Sequence, residues 1–83
     1  MDRIQLPSRS LAWAQYHPRR RWFDIEFRTG KLYRYFNVPL RCYQQLLASE
    51  SKGRYFNANI RNSFPYQELS RPSAALVRTA TKN

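Results

Sequence analysis

Ser51-Lys52-Gly53-Arg54 is the stretch whose residue types best suit the holding of an anion. A serine ahead of a helical run caps its first turn, where unpaired backbone N–H groups and the positive end of the helix dipole point outward. Gly53 permits close approach, and Lys52 and Arg54 add charge, so a phosphate fits there. The competing role is structural: Ser51 only caps, Gly53 lets the helix lie tight against a sheet, and both cations are solvated. Arg19, Arg20 and Arg21 form a second basic cluster, a turn directly before Trp22. A tryptophan exposed among arginines can stack on a base, although it can equally cover a sheet. Arg61 extends the charge toward the C-terminus, with Arg71, Arg78 and Lys82 beyond it.

Covalent chemistry has little support. His17 is the only histidine, Cys42 falls on the packing side of a helix, and the five acids show no metal-ligand spacing. No catalytic residue, metal or cofactor is expected, and the chain reads as a non-enzyme. Asp24 and Glu26 share one strand face and would be the carboxylates of a metal-dependent nuclease, a distant third reading. Cross-strand pairing of these acids with Arg34 and its neighbours accounts for them better.

Fifteen Lys and Arg against five Asp and Glu give a formal charge of +10 on 83 residues. That excess costs the folded state self-repulsion and concentrates positive potential at its surface, so a polyanionic partner is expected. Twelve of the fifteen cations are arginines, whose planar guanidinium forks onto phosphate and stacks on bases where an ammonium offers a point charge. The expected function is therefore a small basic nucleic-acid-binding module, RNA foremost, touching phosphates without reading sequence. Docking on an acidic protein is the alternative. No segment approaches the roughly 20 apolar residues of a membrane span, and Met1 to Ser10, with no apolar run behind Asp2 and Arg3, are not expected to act as a secretory signal. With one cysteine no intrachain disulfide can form, so a reducing compartment, the cytoplasm, is expected.

The elements that must position these residues read as α+β: a three-stranded antiparallel β-meander followed by two short α-helices and, if the segment after Pro65 pairs, a short C-terminal edge strand. Residues 1–9 read as an N-terminal arm, 10–69 as the domain, and 70–83 as a basic flexible tail. The first strand covers Ser10 to Tyr16 and ends at a turn containing His17-Pro18. The second, Arg21 to Arg28, alternates Phe23, Ile25 and Phe27 against Trp22, Asp24, Glu26 and Arg28. Thr29, being β-branched, resists the positive φ of a two-residue type I′ turn, so a three-residue loop with Gly30 left-handed is expected. That loop sets Phe27 opposite Lys31, Ile25 opposite Tyr33, Asp24 opposite Arg34 and Phe23 opposite Tyr35, across a third strand from Leu32 to Phe36. Tyr33 and Tyr35 then join the apolar face, which opposes a role for them in stacking on bases. Pro39 opens a helix with Cys42, Tyr43, Leu46 and Leu47 on one side. A second helix, from Lys52 to about Arg61, carries Phe56 and Ile60 one turn apart. Pro65 confines the following segment to a sheet edge if it pairs.

In this order the residues resemble the KTSC domain, a short module found at the end of some lysyl-tRNA synthetases and as a stand-alone bacterial protein. The resemblance runs from about Ser10 to Tyr66 and rests on four blocks: Ser10-Leu11-Ala12 with Tyr16; Phe23-Asp24-Ile25-Glu26-Phe27; Tyr33-Arg34-Tyr35-Phe36 followed by Val38-Pro39; and Ser51-Lys52-Gly53-Arg54-Tyr55-Phe56-Asn57 leading to Ile60-Arg61. Through the synthetase context the resemblance implies RNA binding. Trp13, Gln15, His17 and the basic turn at Arg19 to Arg21 depart from the family's usual pattern.

Overall fold

The computed structural model describes residues 1–69; the tail at 70–83 lies outside the described residues. Five strands, β1 (Ile4–Gln5), β2 (Leu11–His17), β3 (Trp22–Phe27), β4 (Leu32–Tyr35) and β5 (Tyr66–Glu68), form one antiparallel sheet in the order β1-β2-β3-β4-β5. Helices α1 (Leu40–Ala48) and α2 (Lys52–Asn59) connect β4 to β5. No helix among the described residues is long and apolar enough to cross a membrane.

The α+β class is as the sequence implies, but the sheet has five strands: the expected three-stranded meander, the C-terminal edge strand, and one more that the sequence reading lacks. The meander itself is in the expected register, with Phe23 opposite Tyr35, Asp24 opposite Arg34 and Ile25 opposite Tyr33. Gly30 takes φ +98°, its N–H bonds to the carbonyl of Phe27, and the Phe27 N–H bonds to that of Lys31. This is the loop that Thr29 demands. The fifth strand lies at the edge, where the N–H missing from Pro65 leaves no ladder bond unmade, and the Pro65 carbonyl accepts from Phe36 N–H.

The extra strand comes from the N-terminal segment. Ile4 and Gln5 pair with Ala14 and Trp13, and Leu6, 1% exposed, enters the core. Sequence patterning misses it because two paired residues leave no period to read. The mixed pattern of β2 has a related cause. A register shift between Leu11 and Trp13 inserts an extra residue, so Leu11 and Ala14, three apart, are both buried.

The core lies between the sheet and the two helices. Ala14, Tyr16, Phe23, Ile25 and Tyr35 meet Tyr43 and Leu46 of α1, Phe56 of α2, and Ile60 just after it. Aromatic edges do much of the packing, with Phe56 5.6 Å from Phe27 and 5.5 Å from Tyr35, both near perpendicular. Tyr16 and Tyr43 stack with centroids 5.3 Å apart. The Tyr16 hydroxyl donates to the Val38 carbonyl at 2.5 Å, whereas the buried Tyr43 hydroxyl has no hydrogen-bond partner among the described residues. Burial raises the pKa of both phenols above the ordinary value, an increase that the nearby Arg21 partly opposes at Tyr16.

Candidate nucleic-acid interface

Each helix start is built as its residues dictate. Pro39, φ −64°, is the cap position of α1 and not its first helical residue. Ser51 caps α2 by accepting the Arg54 N–H at 3.3 Å. Lys52 turns back across the junction and donates from Nζ to the Ser49 carbonyl at 2.6 Å. Gly53 lies against the loop before β2, not against the sheet: a Cβ placed there would be 3.2 Å from Ser10 Oγ and 3.9 Å from Ser8 Oγ. The glycine thus gives the two serine hydroxyls room, and a side chain there would require Ser10 Oγ to shift by a few tenths of an ångström. Beside it, Ser8, Arg9, Ser10, Ser51 and Lys52, together with the carboxylate residue Glu50, line a small cleft of about 240 Å³. Arg54 is exposed and lines neither this cleft nor the larger one beside it.

A larger cleft, about 630 Å³, adjoins this one and shares Arg9 and Ser10 with it. Its cations are Arg9, Arg28, Lys31 and Arg61, and its aromatic side is Phe27, Tyr33, Tyr35 and Tyr66. The cations are not equivalent. Arg28 donates Nε to the Ser8 carbonyl and Nη2 to the Leu6 carbonyl, both at 3.0 Å, pinning the N-terminal segment to the sheet. Arg9 and Lys31 have no side-chain hydrogen bond or ion pair among the described residues, and Arg61 makes one, to Asn57 Oδ1 at 3.1 Å. The tyrosines are graded: Tyr35 is 3% exposed, Tyr33 half-buried, and Tyr66 58% exposed. Burial pushes the Tyr35 phenol above its ordinary pKa, and the Arg61 charge pulls it the other way.

The structure therefore separates the cations that the sequence singles out. Arg61 joins the larger cleft and Lys52 lies beside it, while Arg19, Arg20 and Arg21 are exposed on the β2–β3 turn, at the other end of the strands from the β3–β4 turn that carries Lys31. Arg21 sits at φ 59° there, its carbonyl accepting from Val38 N–H. Trp22 is half-buried and not freely exposed. The Arg34 guanidinium stands 3.9 Å and that of Arg20 5.0 Å from its ring centre, and His17 and Phe36 meet it edge-on.

Arg34 also grips Asp24 with two parallel bonds, Nε to Oδ1 at 2.8 Å and Nη2 to Oδ2 at 2.9 Å, while His17 Nε2 lies 2.8 Å from the same Oδ2. The bonds to Asp24 raise the Arg34 pKa further. Glu26 pairs with Arg3 at 3.0 Å. Both carboxylates that would serve a nuclease are thus occupied by cations on the helix-free face.

Arg9, Lys31 and Tyr66 are residues that reading the sequence for sites passes over. The register put Lys31 beside Phe27, which was the available signal for one of them. Arg9 and Tyr66 come from a loop and an edge strand whose placement no local pattern encodes.

Residues 7–64 match the model of the KTSC domain family. A KTSC domain protein from Yersinia pestis has a crystal structure similar to this one, with TM-score 0.78 and 32% identity over 82% of this chain and 96% of that one. An uncharacterized protein of Stutzerimonas stutzeri is 44% identical over 57 residues, 69% of this chain and 80% of its own. A lysine–tRNA ligase of Nostoc sp. is 39% identical over 56 residues, which are 68% of this chain and only 10% of the ligase. This chain belongs to the KTSC domain family.

Proposed function

We propose that this protein is a nucleic-acid-binding module with RNA as its main partner, holding phosphates without reading sequence, and that it is a binder and not a catalyst. One observation carries the reading: Arg9, Lys31 and Arg61 come from three different parts of the chain and line one cleft, with Lys52 in the adjoining one. Like charges repel, so gathering them in one place has a cost that an anionic ligand offsets. The similarity to part of a lysine–tRNA ligase, an enzyme whose name places it on tRNA, agrees with this reading. Pairing of Asp24 and Glu26 with cations argues against a nuclease. A reducing, cytoplasmic setting suits the lone, half-buried Cys42.

The test is a salt titration of binding to tRNA, single-stranded RNA and DNA. Each phosphate contact contributes about −0.7 to −0.9 to the slope of log K against log salt. Lys31→Ala/Arg61→Ala is expected to flatten that slope by roughly 1.5, and adding Lys52→Ala to flatten it further. Failure of the wild-type protein to bind any of the three at low salt defeats the proposal.

A further inference from the structure

The larger cleft has more in it than phosphate recognition needs. Phosphates ask for cations and N–H groups, and an aromatic wall adds nothing to them. Yet Tyr66 is 58% exposed at that wall, the most exposed aromatic side chain among the large hydrophobic residues that remain open to solvent. Its ring is backed by Tyr35, 5.3 Å away at a 33° tilt, and by Tyr33, 5.6 Å away and nearly perpendicular. Tyr33 in turn meets Phe27 edge-on at 5.6 Å. An aromatic residue with only solvent to gain would be costly to leave this open, whereas one braced by two others is a platform with less rotamer freedom left to lose on binding. The cleft volume of about 630 Å³ falls within the range of roughly 300–1,000 Å³ usual for small-molecule sites.

We infer that this cleft takes one unpaired base of a single-stranded segment against Tyr66 and Tyr33, with the neighbouring phosphates on Arg9, Lys31 and Arg61. The inference rests on the nucleic-acid reading above and makes it specific. In a duplex the base faces are stacked on one another and unavailable, so a duplex can use only the cationic rim. A single strand uses both rim and wall. Because every base has a π face, the preference is for strandedness and not for sequence. Tyr35 serves as the buried brace, and Arg28, spent on the Ser8 and Leu6 carbonyls, holds the N-terminal segment that presents Arg9.

Fluorescence anisotropy with a short labelled oligouridine, the matching DNA strand and an RNA duplex tests this in the full chain. Tyr66→Ala is expected to weaken binding to the single strands roughly 5- to 100-fold, the range that base–aromatic stacking supplies, and to leave duplex binding and the salt slope near wild type. Tyr66→Phe, which keeps the ring, is expected to restore single-strand binding. Independently of any variant, a single 2-aminopurine in the oligouridine is expected to lose emission when the wild-type protein binds. Unchanged single-strand affinity in Tyr66→Ala, equal losses on single strand and duplex, or unchanged 2-aminopurine emission each overturns the inference while leaving the phosphate-binding reading in place. Absence of all nucleic-acid binding overturns both.

Discussion

Tyr16 and Tyr43 offer two deletions of a single oxygen atom with opposite expected signs. Their rings stack 5.3 Å apart in the same core and both are 2% exposed or less. Tyr16→Phe removes a hydrogen bond to the carbonyl of Val38, a fully buried residue. The loss combines a net bond of about 1 kcal/mol with an acceptor left unsatisfied, so a destabilisation of about 1–3 kcal/mol is expected. Tyr43→Phe removes a buried hydroxyl that no protein group among the described residues hydrogen-bonds. Deleting it spares its desolvation, so stability is expected to stay level or rise by about 1 kcal/mol. Urea unfolding followed by the emission of Trp13 and Trp22 reads both. With a slope near 1 kcal/mol per molar for a domain this small, the two midpoints should move apart by about 1 M or more, on opposite sides of wild type. The hydroxyls do not bond each other, so the double variant should sum the two effects within about 0.5 kcal/mol. A Tyr43→Phe protein less stable than wild type by more than about 0.5 kcal/mol would refute the reasoning, because it would mean that this hydroxyl has a partner in solution.

Asp24→Ala strips the acceptor from Arg34 and His17 at a site where the carboxylate is 11% exposed and the guanidinium 23%. Breaking such a pair from one side is expected to cost about 3 kcal/mol. It should also free Arg34 from Trp22, giving a red-shifted tryptophan emission; unchanged stability and emission would contradict the pairing. At high pH, the pKa values of Tyr16, Tyr35, Tyr43 and Tyr55 are all raised, chiefly by burial. The unfolded chain therefore gives up these protons first, from pH about 10. Their contribution to stability is complete below that pH and is lost as the pH rises through the higher folded-state values. Urea midpoints should fall between pH 9 and 11, and a flat profile would count against the burial of these phenols.

The face of the meander and its partners were legible because they depend on short-range constraints. Thr29 and Gly30 fix one loop geometry, and with a side-chain period of two that loop determines which residues of β4 face Phe23, Asp24 and Ile25. Ser51 was equally readable as a cap, since its bond to the Arg54 N–H spans three residues. The charge that calls for an anionic partner is a property of composition alone, and so is the excess of arginine over lysine.

What tertiary structure decided is which of those charges work together. Arg9, Lys31 and Arg61 are far apart along the chain and meet because β1 and Arg28 anchor the N-terminal segment while Phe56 packs α2, which leads to Arg61, against Phe27 and Tyr35 of the sheet. Trp22, read from sequence as a stacking candidate among arginines, is half-buried with Arg34 and Arg20 over its ring. Arg34 is directed toward Trp22 by its cross-strand grip on Asp24, and the aromatic surface left open is Tyr66, on an edge strand of three residues. Local sequence sets the face on which a side chain stands, whereas long-range packing sets its neighbours, and a binding surface is made of neighbours.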